Sequence, residues 1–250
     1  MTTMADIRTQ LTAPGGMFEV TTEEVMGRPM EVFTNRMRSL REVPQAALLR
    51  GDEDFLSYGD ETWSFDRFVS EANSVGHTLS GRYDITPGAR VAVLAQNCPE
   101  WCLAFWGTVI VDAVLVGLNG WWKTDEVLYG LQDSGATVLV ADRNRFARIA
   151  AHLDQAPELT HVFLTDADPA DFAADTAGSN VTIERFDVLT AEPTHEFPEI
   201  PIAEDDDAVI FYTSGTTGRP KGAISTHRSM VANLQNTLFV VLAAGMLTQA

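Results

Sequence analysis

The sequence is poor in positive charge. Its 17 lysines and arginines stand against 35 aspartates and glutamates among 250 residues, which gives a formal net charge of −18. Nucleic-acid binding that ignores base sequence needs clustered cations facing phosphates, so this composition excludes a general nucleic-acid binder. A polyanionic ligand would need a local site that overcomes an unfavourable overall field.

Cysteines and long apolar runs are also scarce. Cys98 and Cys102 are the only cysteines, which excludes a disulfide scaffold, and no histidine beside them completes a zinc site. The amino terminus lacks the apolar core of a secretory signal. The apolar run 238–247 is well short of the roughly 20 residues that a membrane-spanning helix needs. We therefore expect no transmembrane segment and a reducing, most simply cytoplasmic, location.

The chain does contain a regular alternation of strand and helix patterns. Apolar runs of strand length lie at 90–94, 113–117, 136–141 and 161–164, and helical periodicity separates them. This alternation predicts βαβ units, and so an α/β fold with a mostly parallel sheet flanked by helices. Nearer the amino terminus, runs 55–58 and 62–63 flank a glycine-containing turn, which predicts a short hairpin. Ser64 is placed to cap the helix that follows.

The patterning also divides the chain into segments. Residues 1–30 carry several Pro and Gly breakers and are predicted to form an N-terminal arm, irregular apart from one short helix. Residues 31–250 are patterned like a single α/β domain. Within them, residues 165–180 are acidic, small and rich in turn formers, which predicts an exposed excursion from the core.

The segment that carries chemistry is a glycine-rich loop between a strand and a helix. The apolar run 208–212 precedes a predicted loop at 213–222, and Thr226 opens and caps a helix. Glycine-rich turns let successive N–H groups converge on one anion, while hydroxyls and a lysine add donors and charge. The loop is therefore predicted to hold a polyphosphate, although its composition also suits a plain solvated turn. It is not a Walker A loop, because Arg219-Pro220-Lys221 follows Gly218 where that motif needs Lys and Ser or Thr.

The order of residues in this loop carries a family resemblance. YTSGTTGRPKG, at 212–222, resembles the phosphate loop of the adenylate-forming enzymes, which include acyl-CoA synthetases, peptide-synthetase adenylation domains and beetle luciferases. Residues 63–66 and 88–119 are similar to earlier family segments, with departures such as Gly117 where proline is common. The stretch 117–136, with its paired tryptophans, is most similar to the fatty-acyl-CoA ligase branch. The resemblance thus implies a carboxylic acid substrate, in the first place a fatty acid.

The resemblance also implies a set of site residues and a reaction. The residues that would wrap the β- and γ-phosphates of ATP are Thr213, Ser214, Gly215, Thr216, Thr217 and Gly218. Lys221 would pair with phosphate charge, and the Thr213 hydroxyl would lie near Mg²⁺. In the implied reaction a carboxylate attacks ATP to give an acyl-adenylate and pyrophosphate, and coenzyme A then accepts the acyl group. No catalytic residue is assigned within these 250 residues.

The resemblance covers only the first part of such an enzyme. The family's later motifs, including its metal-binding glutamate and the C-terminal domain with a catalytic lysine, are absent from this sequence. The sequence therefore predicts an incomplete N-terminal domain, residues 31–250, of an ATP-dependent fatty-acid–CoA ligase, inactive by itself and without the C-terminal domain. The alternatives are a fragment of an aryl or amino-acid adenylation enzyme, or a non-catalytic nucleotide-binding fragment. The apolar face of 229–247 predicts, in addition, self-association into a homo-oligomer.

A few other residues have two interpretations. His227 fits a phosphate contact and a surface position beside the helix cap equally well. Trp121 and Trp122 fit core packing better than an acyl-binding surface. Asp205–Asp207 precede a strand, and neighbouring residues in a strand point apart, so we expect these carboxylates to face solvent rather than bind a metal.

Overall fold

A computed structural model describes residues 3–213 and 219–249 of the chain. The helices are α1 (Met4–Leu11), α2 (Glu42–Ala47), α3 (Phe65–Arg82), α4 (Pro99–Ile110), α5 (Thr124–Ser134), α6 (Arg143–Phe146) and α7 (His227–Gln249). Short 3₁₀ helices lie at Leu48–Arg50, Ala150–Gln155, Pro169–Phe172 and Phe186–Leu189. The strands are β1 (Val20–Val25), β2 (Arg28–Phe33), β3 (Asp54–Tyr58), β4 (Glu61–Ser64), β5 (Arg90–Leu94), β6 (Val114–Gly117), β7 (Val138–Ala141), β8 (His161–Leu164), β9 (Thr182–Arg185), β10 (Asp207–Thr213) and β11 (Lys221–Thr226).

Seven strands form the central sheet, in the order β11-β10-β6-β5-β7-β8-β9. Every neighbouring pair is parallel except β10 and β11, which are antiparallel. The inner strands are buried on both faces, as their continuous apolar runs require. The predicted fold class, a mostly parallel sheet flanked by helices, is confirmed. Because parallel strands point the same way, their carboxyl ends share one edge of the sheet.

Helices cover both faces of this sheet. One apolar cluster joins β5 and β6 to α3 and α4, and a second joins the other face to α5 and α6. Helices α3 and α4 approach very closely at Gly107, where an added Cβ would lie 2.4 Å from Cγ1 of Val75. This glycine is therefore required by packing rather than by backbone conformation.

The predicted hairpin and helix cap near the start of the domain are both confirmed. Strands β3 and β4 pair antiparallel, with Tyr58 opposite Glu61. The Ser64 hydroxyl accepts a hydrogen bond from the backbone N–H of Arg67 at 3.2 Å, which satisfies one of the free donors at the start of α3.

The amino-terminal residues are more regular than predicted. The one short helix predicted there is present as α1, but residues 20–33 form the β1–β2 hairpin, so the prediction of an otherwise irregular arm up to residue 30 is wrong. Met26 and Gly27 both adopt left-handed φ angles, 49° and 76°, which suit the two-residue turn of a hairpin. Pro29 is accommodated because a two-stranded sheet consists of edge strands.

The acidic segment 165–180 is exposed at most of its positions. Two side chains, those of Ala167 and Phe172, are nevertheless buried. The Phe172 ring meets Phe146 edge to face, with centroids 4.9 Å apart. The segment is thus tied to the core through this aromatic pair.

Helix α7 has much of its apolar surface exposed, including Leu238 and Val241. Among the described residues, one helix (His227–Thr248) is long and apolar enough to cross a membrane, judged by length and composition alone. A single such helix is weak evidence for a membrane protein, but the expected absence of a transmembrane segment is not confirmed. The predicted homo-oligomer also stays a prediction.

Candidate functional site

Strands β10 and β11 flank the glycine-rich sequence, and Thr213, the last residue of β10, lies at the carboxyl edge of the sheet. The two strands leave the loop as an antiparallel pair in which Thr213 is opposite Lys221. The predicted loop 213–222 is therefore too long, since Thr213, Lys221 and Gly222 belong to strands. Gly222 allows the close pairing, because an added Cβ would lie 2.9 Å from Cγ2 of Ile210. A short strand that contains glycine gives little sequence signal, which explains why β11 was missed.

Two of the predicted phosphate-binding residues are described by the structure. Thr213 and Lys221 are both exposed at the mouth of the loop. The Thr213 hydroxyl donates a long hydrogen bond of 3.4 Å to the Lys221 carbonyl, which leaves its oxygen free to accept or to bind a cation. Ser214, Gly215, Thr216, Thr217 and Gly218 lie outside the described residues, so their assignment stays a prediction.

The charges at this site suit an anion. Lys221 is one of two lysines in the chain, the other being Lys123. The guanidinium of Arg219 lies 5.2 Å from the centroid of the Tyr129 ring, a cation–π contact beside the loop. Two cations, Arg219 and Lys221, and the Thr213 hydroxyl therefore lie beside the loop, and this set of groups fits a polyphosphate.

A magnesium ion would have few protein ligands here. The described residues contain no group of three or more His, Cys, Asp or Glu side chains that could hold a metal ion. Mg²⁺ commonly keeps several waters and binds phosphate oxygens with one or two protein ligands. The Thr213 hydroxyl fits such a minor role, and its assignment to Mg²⁺ stays a prediction.

The strand that leads into the loop is tied to helix α5. The Tyr212 hydroxyl donates to Oδ2 of Asp133 at 2.8 Å and lies 3.2 Å from the Gly130 carbonyl. Burial, and then the hydrogen bond to Asp133, raises the pKa of Tyr212, so this phenol stays a donor. The Trp122 ring packs edge to face on Tyr212 at 5.3 Å. The residue before Thr213 is thus fixed by three contacts.

The loop after β6, next to β10, is held by a polar network that sequence reasoning missed. Arg145 and Arg148 donate to the Gly120 carbonyl at 3.1 and 2.9 Å. Buried Asp142 accepts from the backbone N–H groups of Gln96 and Arg145, both at 2.9 Å. The local signal was the position of Asp142 directly before a helix, where an aspartate commonly caps.

The paired tryptophans differ in environment. Trp122 is 8% exposed and belongs to the core, as predicted, whereas Trp121 is 85% exposed. The core-packing interpretation is therefore right for one tryptophan and wrong for the other.

His227 is neither a phosphate contact nor a surface residue. Its side chain is fully buried at the opposite end of β10, where Nδ1 accepts from the backbone N–H of Leu40 at 3.1 Å. Its Nε2 lies 3.5 Å from Oδ1 of Asp112, which is too long for a good hydrogen bond. Burial lowers the pKa of His227 to about 4, so the ring is neutral at pH 7. Burial, reinforced by Asp206, raises the pKa of Asp112 to about 6.

A groove of about 740 Å³ also lies near that end of the strand, between the β1–β2 hairpin and α7. Two of its arginines, Arg36 and Arg228, are already paired with carboxylates. Arg36 binds Glu23 and Glu204 at 2.7 and 2.9 Å, and Arg228 binds Asp205 at 2.6 Å. Asp205 therefore pairs with a cation rather than simply facing solvent. The groove is a poorer phosphate site than the loop.

Comparison with known proteins decides the family. The family model described as AMP-binding enzyme matches residues 43–246, which include the whole central sheet and the loop. The chain belongs to the AMP-binding enzyme family. This match confirms the resemblance expected from the loop sequence, and it places most of α7 within the AMP-binding domain.

Relatives of this AMP-binding protein include ligases for different acids. It is 34% identical over 146 residues to the long-chain-fatty-acid–CoA ligase FadD13 of Mycobacterium tuberculosis, covering 58% of the chain and 26% of the relative. It is 33% identical over 148 residues to the crotonobetaine/carnitine–CoA ligase of Escherichia fergusonii, covering 58% and 27%. The crystal structure of the anthranilate CoA ligase AuaEII with anthranoyl-AMP matches with a TM-score of 0.66 and 27% identity, covering 78% of the chain and 36% of that structure. The matched part of the chain thus spans about a quarter to a third of these proteins.

Proposed function

We propose that this chain carries the ATP-phosphate-binding part of an adenylate-forming acid–thiol ligase. The observation that carries the proposal is the pair Thr213 and Lys221, exposed and opposite each other where β10 and β11 enter the YTSGTTGRPKG loop. Backbone N–H groups of the loop would hold phosphate oxygens, and the Lys221 ammonium would offset their charge. Mg²⁺, when bound, would neutralise further phosphate charge, with the Thr213 hydroxyl within its ligand set.

Binding of MgATP to the purified chain tests this role. Lys221→Ala is expected to weaken the affinity by about tenfold or more, because a charge-assisted contact to phosphate is lost. Lys123→Ala is the matched control, since it removes the other lysine, which is exposed at the start of α5. Titration calorimetry at one fixed salt concentration would give both affinities. Equal affinities for the two variants would overturn the proposal.

We propose a fatty acid as the activated acid. The 34% identity to a long-chain-fatty-acid–CoA ligase and the Trp121-Trp122 pair support this choice. A second candidate is an aryl acid, which the structural similarity to an anthranilate CoA ligase favours. The candidates separate in an assay of pyrophosphate release with a panel of fatty acids and of benzoate and anthranilate. It would be applied to this chain and to any longer protein that contains it.

We further propose that these 250 residues do not complete the reaction alone. The support is that the family motifs expected after the phosphate loop are absent from the sequence. Coenzyme A would then be bound by parts of the enzyme outside this chain. Acyl-CoA formation by the purified chain, followed by mass spectrometry, would refute this point.

A further inference from the structure

Both ends of the phosphate loop contact the same helix. On the β10 side, the Tyr212 hydroxyl donates to Asp133 of α5 at 2.8 Å. On the β11 side, the Arg219 guanidinium lies over the ring of Tyr129, one helical turn before Asp133. Residues four apart on a helix lie on one face, so a single face of α5 holds both ends of the loop.

The two contacts are also joined to each other. The Tyr129 hydroxyl donates to Oδ1 of Asp133 at 3.2 Å, while Tyr212 donates to Oδ2. One carboxylate therefore accepts from two phenols, one on the helix and one on the strand. Burial, and then the hydrogen bond to Asp133, raises the pKa of each tyrosine, so both remain donors.

We propose that Asp133 and Tyr129 are positioning residues for the phosphate loop. Helix α5 holds Tyr212, next to the end of β10, and Arg219, two residues before β11, and so fixes Thr213 and Lys221 relative to each other. This inference rests on the proposed function, because positioning matters for catalysis only if the loop holds ATP. Preorganised donors bind an anion better because less ordering is required when the ligand arrives.

A carboxylate near a phosphate site needs an explanation. Its charge repels the ligand, so electrostatics alone would disfavour Asp133 at this place. Its two oxygens are occupied by phenol donors, and only a group with two hydrogen-bonding atoms can bridge the tyrosines. The placement of its two oxygens, rather than its charge, therefore explains why an aspartate lies at position 133. Asp133→Asn removes the charge and keeps a bridge, because its oxygen still accepts from one phenol and its Nδ2 donates to the oxygen of the other, whereas Asp133→Ala removes the bridge.

Amide hydrogen exchange measures the positioning directly. In Asp133→Ala, peptides covering the ends of β10 and β11 next to the loop are expected to exchange about fivefold faster, with β5 and α3 unchanged. Asp133→Asn should exchange like the wild type. Tyr212→Phe should speed exchange at the end of β10. Tyr129→Leu should speed exchange at the loop ends of both β10 and β11. Asp125→Ala, an exposed aspartate on the same helix, is the control and should change nothing near the loop.

MgATP affinity completes the test. Asp133→Ala should bind about fivefold more weakly than the wild type, and Asp133→Asn at least as well. Faster exchange throughout the protein, or exchange near the loop that matches the Asp125→Ala control, would overturn the positioning role. Equal losses of affinity in the Ala and Asn variants would overturn it as well, since the bridge that Asn keeps would then contribute nothing to binding. If the wild type binds no MgATP while the exchange pattern holds, the proposed function fails and the structural role of α5 stands.

Discussion

The two ends of strand β10 use polar residues in opposite ways. At the amino end, Asp112 and His227 are buried together beside Asp206, with the histidine fully enclosed. At the carboxyl end, Thr213 and Lys221 are exposed strand partners, and the Thr213 hydroxyl makes a long hydrogen bond of 3.4 Å to the Lys221 carbonyl. Both ends belong to the same pair of neighbouring strands, β10 and β11. The difference in exposure therefore comes from the other parts of the chain that pack against each end.

This difference separates stability from binding. A buried polar group contributes to folding only if its partners are in place, and losing one partner is costly. An exposed cation with no carboxylate partner contributes little to folding but remains free for an anionic ligand. We therefore expect substitutions at the amino end to change the free energy of unfolding, and substitutions at the carboxyl end to change ligand affinity.

The largest expected effect is that of His227→Ala. It removes a buried ring and leaves the Leu40 N–H without its acceptor, so the free energy of unfolding should fall by about 3 kcal/mol. Urea denaturation at pH 7 measures this change. The exposed His152 provides a matched control, His152→Ala, which should leave stability nearly unchanged. Similar stability of the two variants would contradict the buried role of His227.

The free energy of unfolding should also depend on pH through His227 and Asp112. The pKa of His227 falls from 6.5 to about 4 on folding, so its burial costs stability as the pH drops below 6.5. The pKa of Asp112 rises from 3.8 to about 6, so the folded chain binds this proton first and gains stability as the pH drops below 6. The two effects oppose each other between pH 6 and pH 4.

Asp112→Asn should remove the stability that the folded chain gains when Asp112 is protonated, and it should leave the stability that is lost at His227 as the pH falls. Its stability relative to the wild type is then expected to fall by roughly 2 kcal/mol between pH 7 and pH 4, measured by urea denaturation at several pH values. Asn suits the left-handed φ of 60° at this position. The exposed Asp154→Asn serves as the control. A difference that does not vary with pH would show that Asp112 titrates normally.

A smaller effect is expected at Gly117, where β6 ends beside β10. An added Cβ would lie 2.6 Å from Cδ1 of Phe211, so Gly117→Ala must displace that ring. Because Phe211 is 39% exposed and can move, the cost should be about 1 kcal/mol in thermal or urea unfolding. Gly81→Ala, where a Cβ meets no atom within 4 Å, should not be destabilising.

The smallest effect on folding is predicted for Lys221→Ala. Its urea midpoint should equal that of the wild type even though MgATP affinity falls, because Lys221 is exposed. A clear loss of stability would break the contrast between the two ends of β10, since Lys221 would then be part of the folded framework.

Sequence reasoning predicted the features that depend on nearby residues. Strands β5 and β8 were located at the observed residues, because short apolar runs between helical patterns mark buried parallel strands. The Ser64 and Thr226 caps were also correct, with Thr226 accepting from the Ser229 N–H at 3.2 Å. The helical pattern predicted between the runs 136–141 and 161–164 is only partly realised, since α6 ends at Phe146 and a 3₁₀ helix follows at Ala150–Gln155.

The loop sequence was enough to predict the candidate site, but it did not predict the contacts that surround the site. The order of glycines and hydroxyls before Lys221 was enough to predict a phosphate loop, which the family match supports. Nothing local indicated that Tyr212 would bind Asp133, because these residues are 79 positions apart. Likewise, the exposure of Trp121 and the burial of Trp122 depend on which side of one short loop meets the core.

The amino-acid sequence by itself determined the alternation of the inner strands with helices, the helix caps at Ser64 and Thr226, and the chemistry available in the loop. Each of these depends on periodicity, turn formers or hydrogen bonds within a few residues. Only the tertiary structure decided that β11 pairs antiparallel at the edge, that α5 holds both ends of the loop, and that His227 is buried against Leu40. Those contacts join distant positions, 187 residues apart for Leu40 and His227, and burial is set by the packing of whole elements.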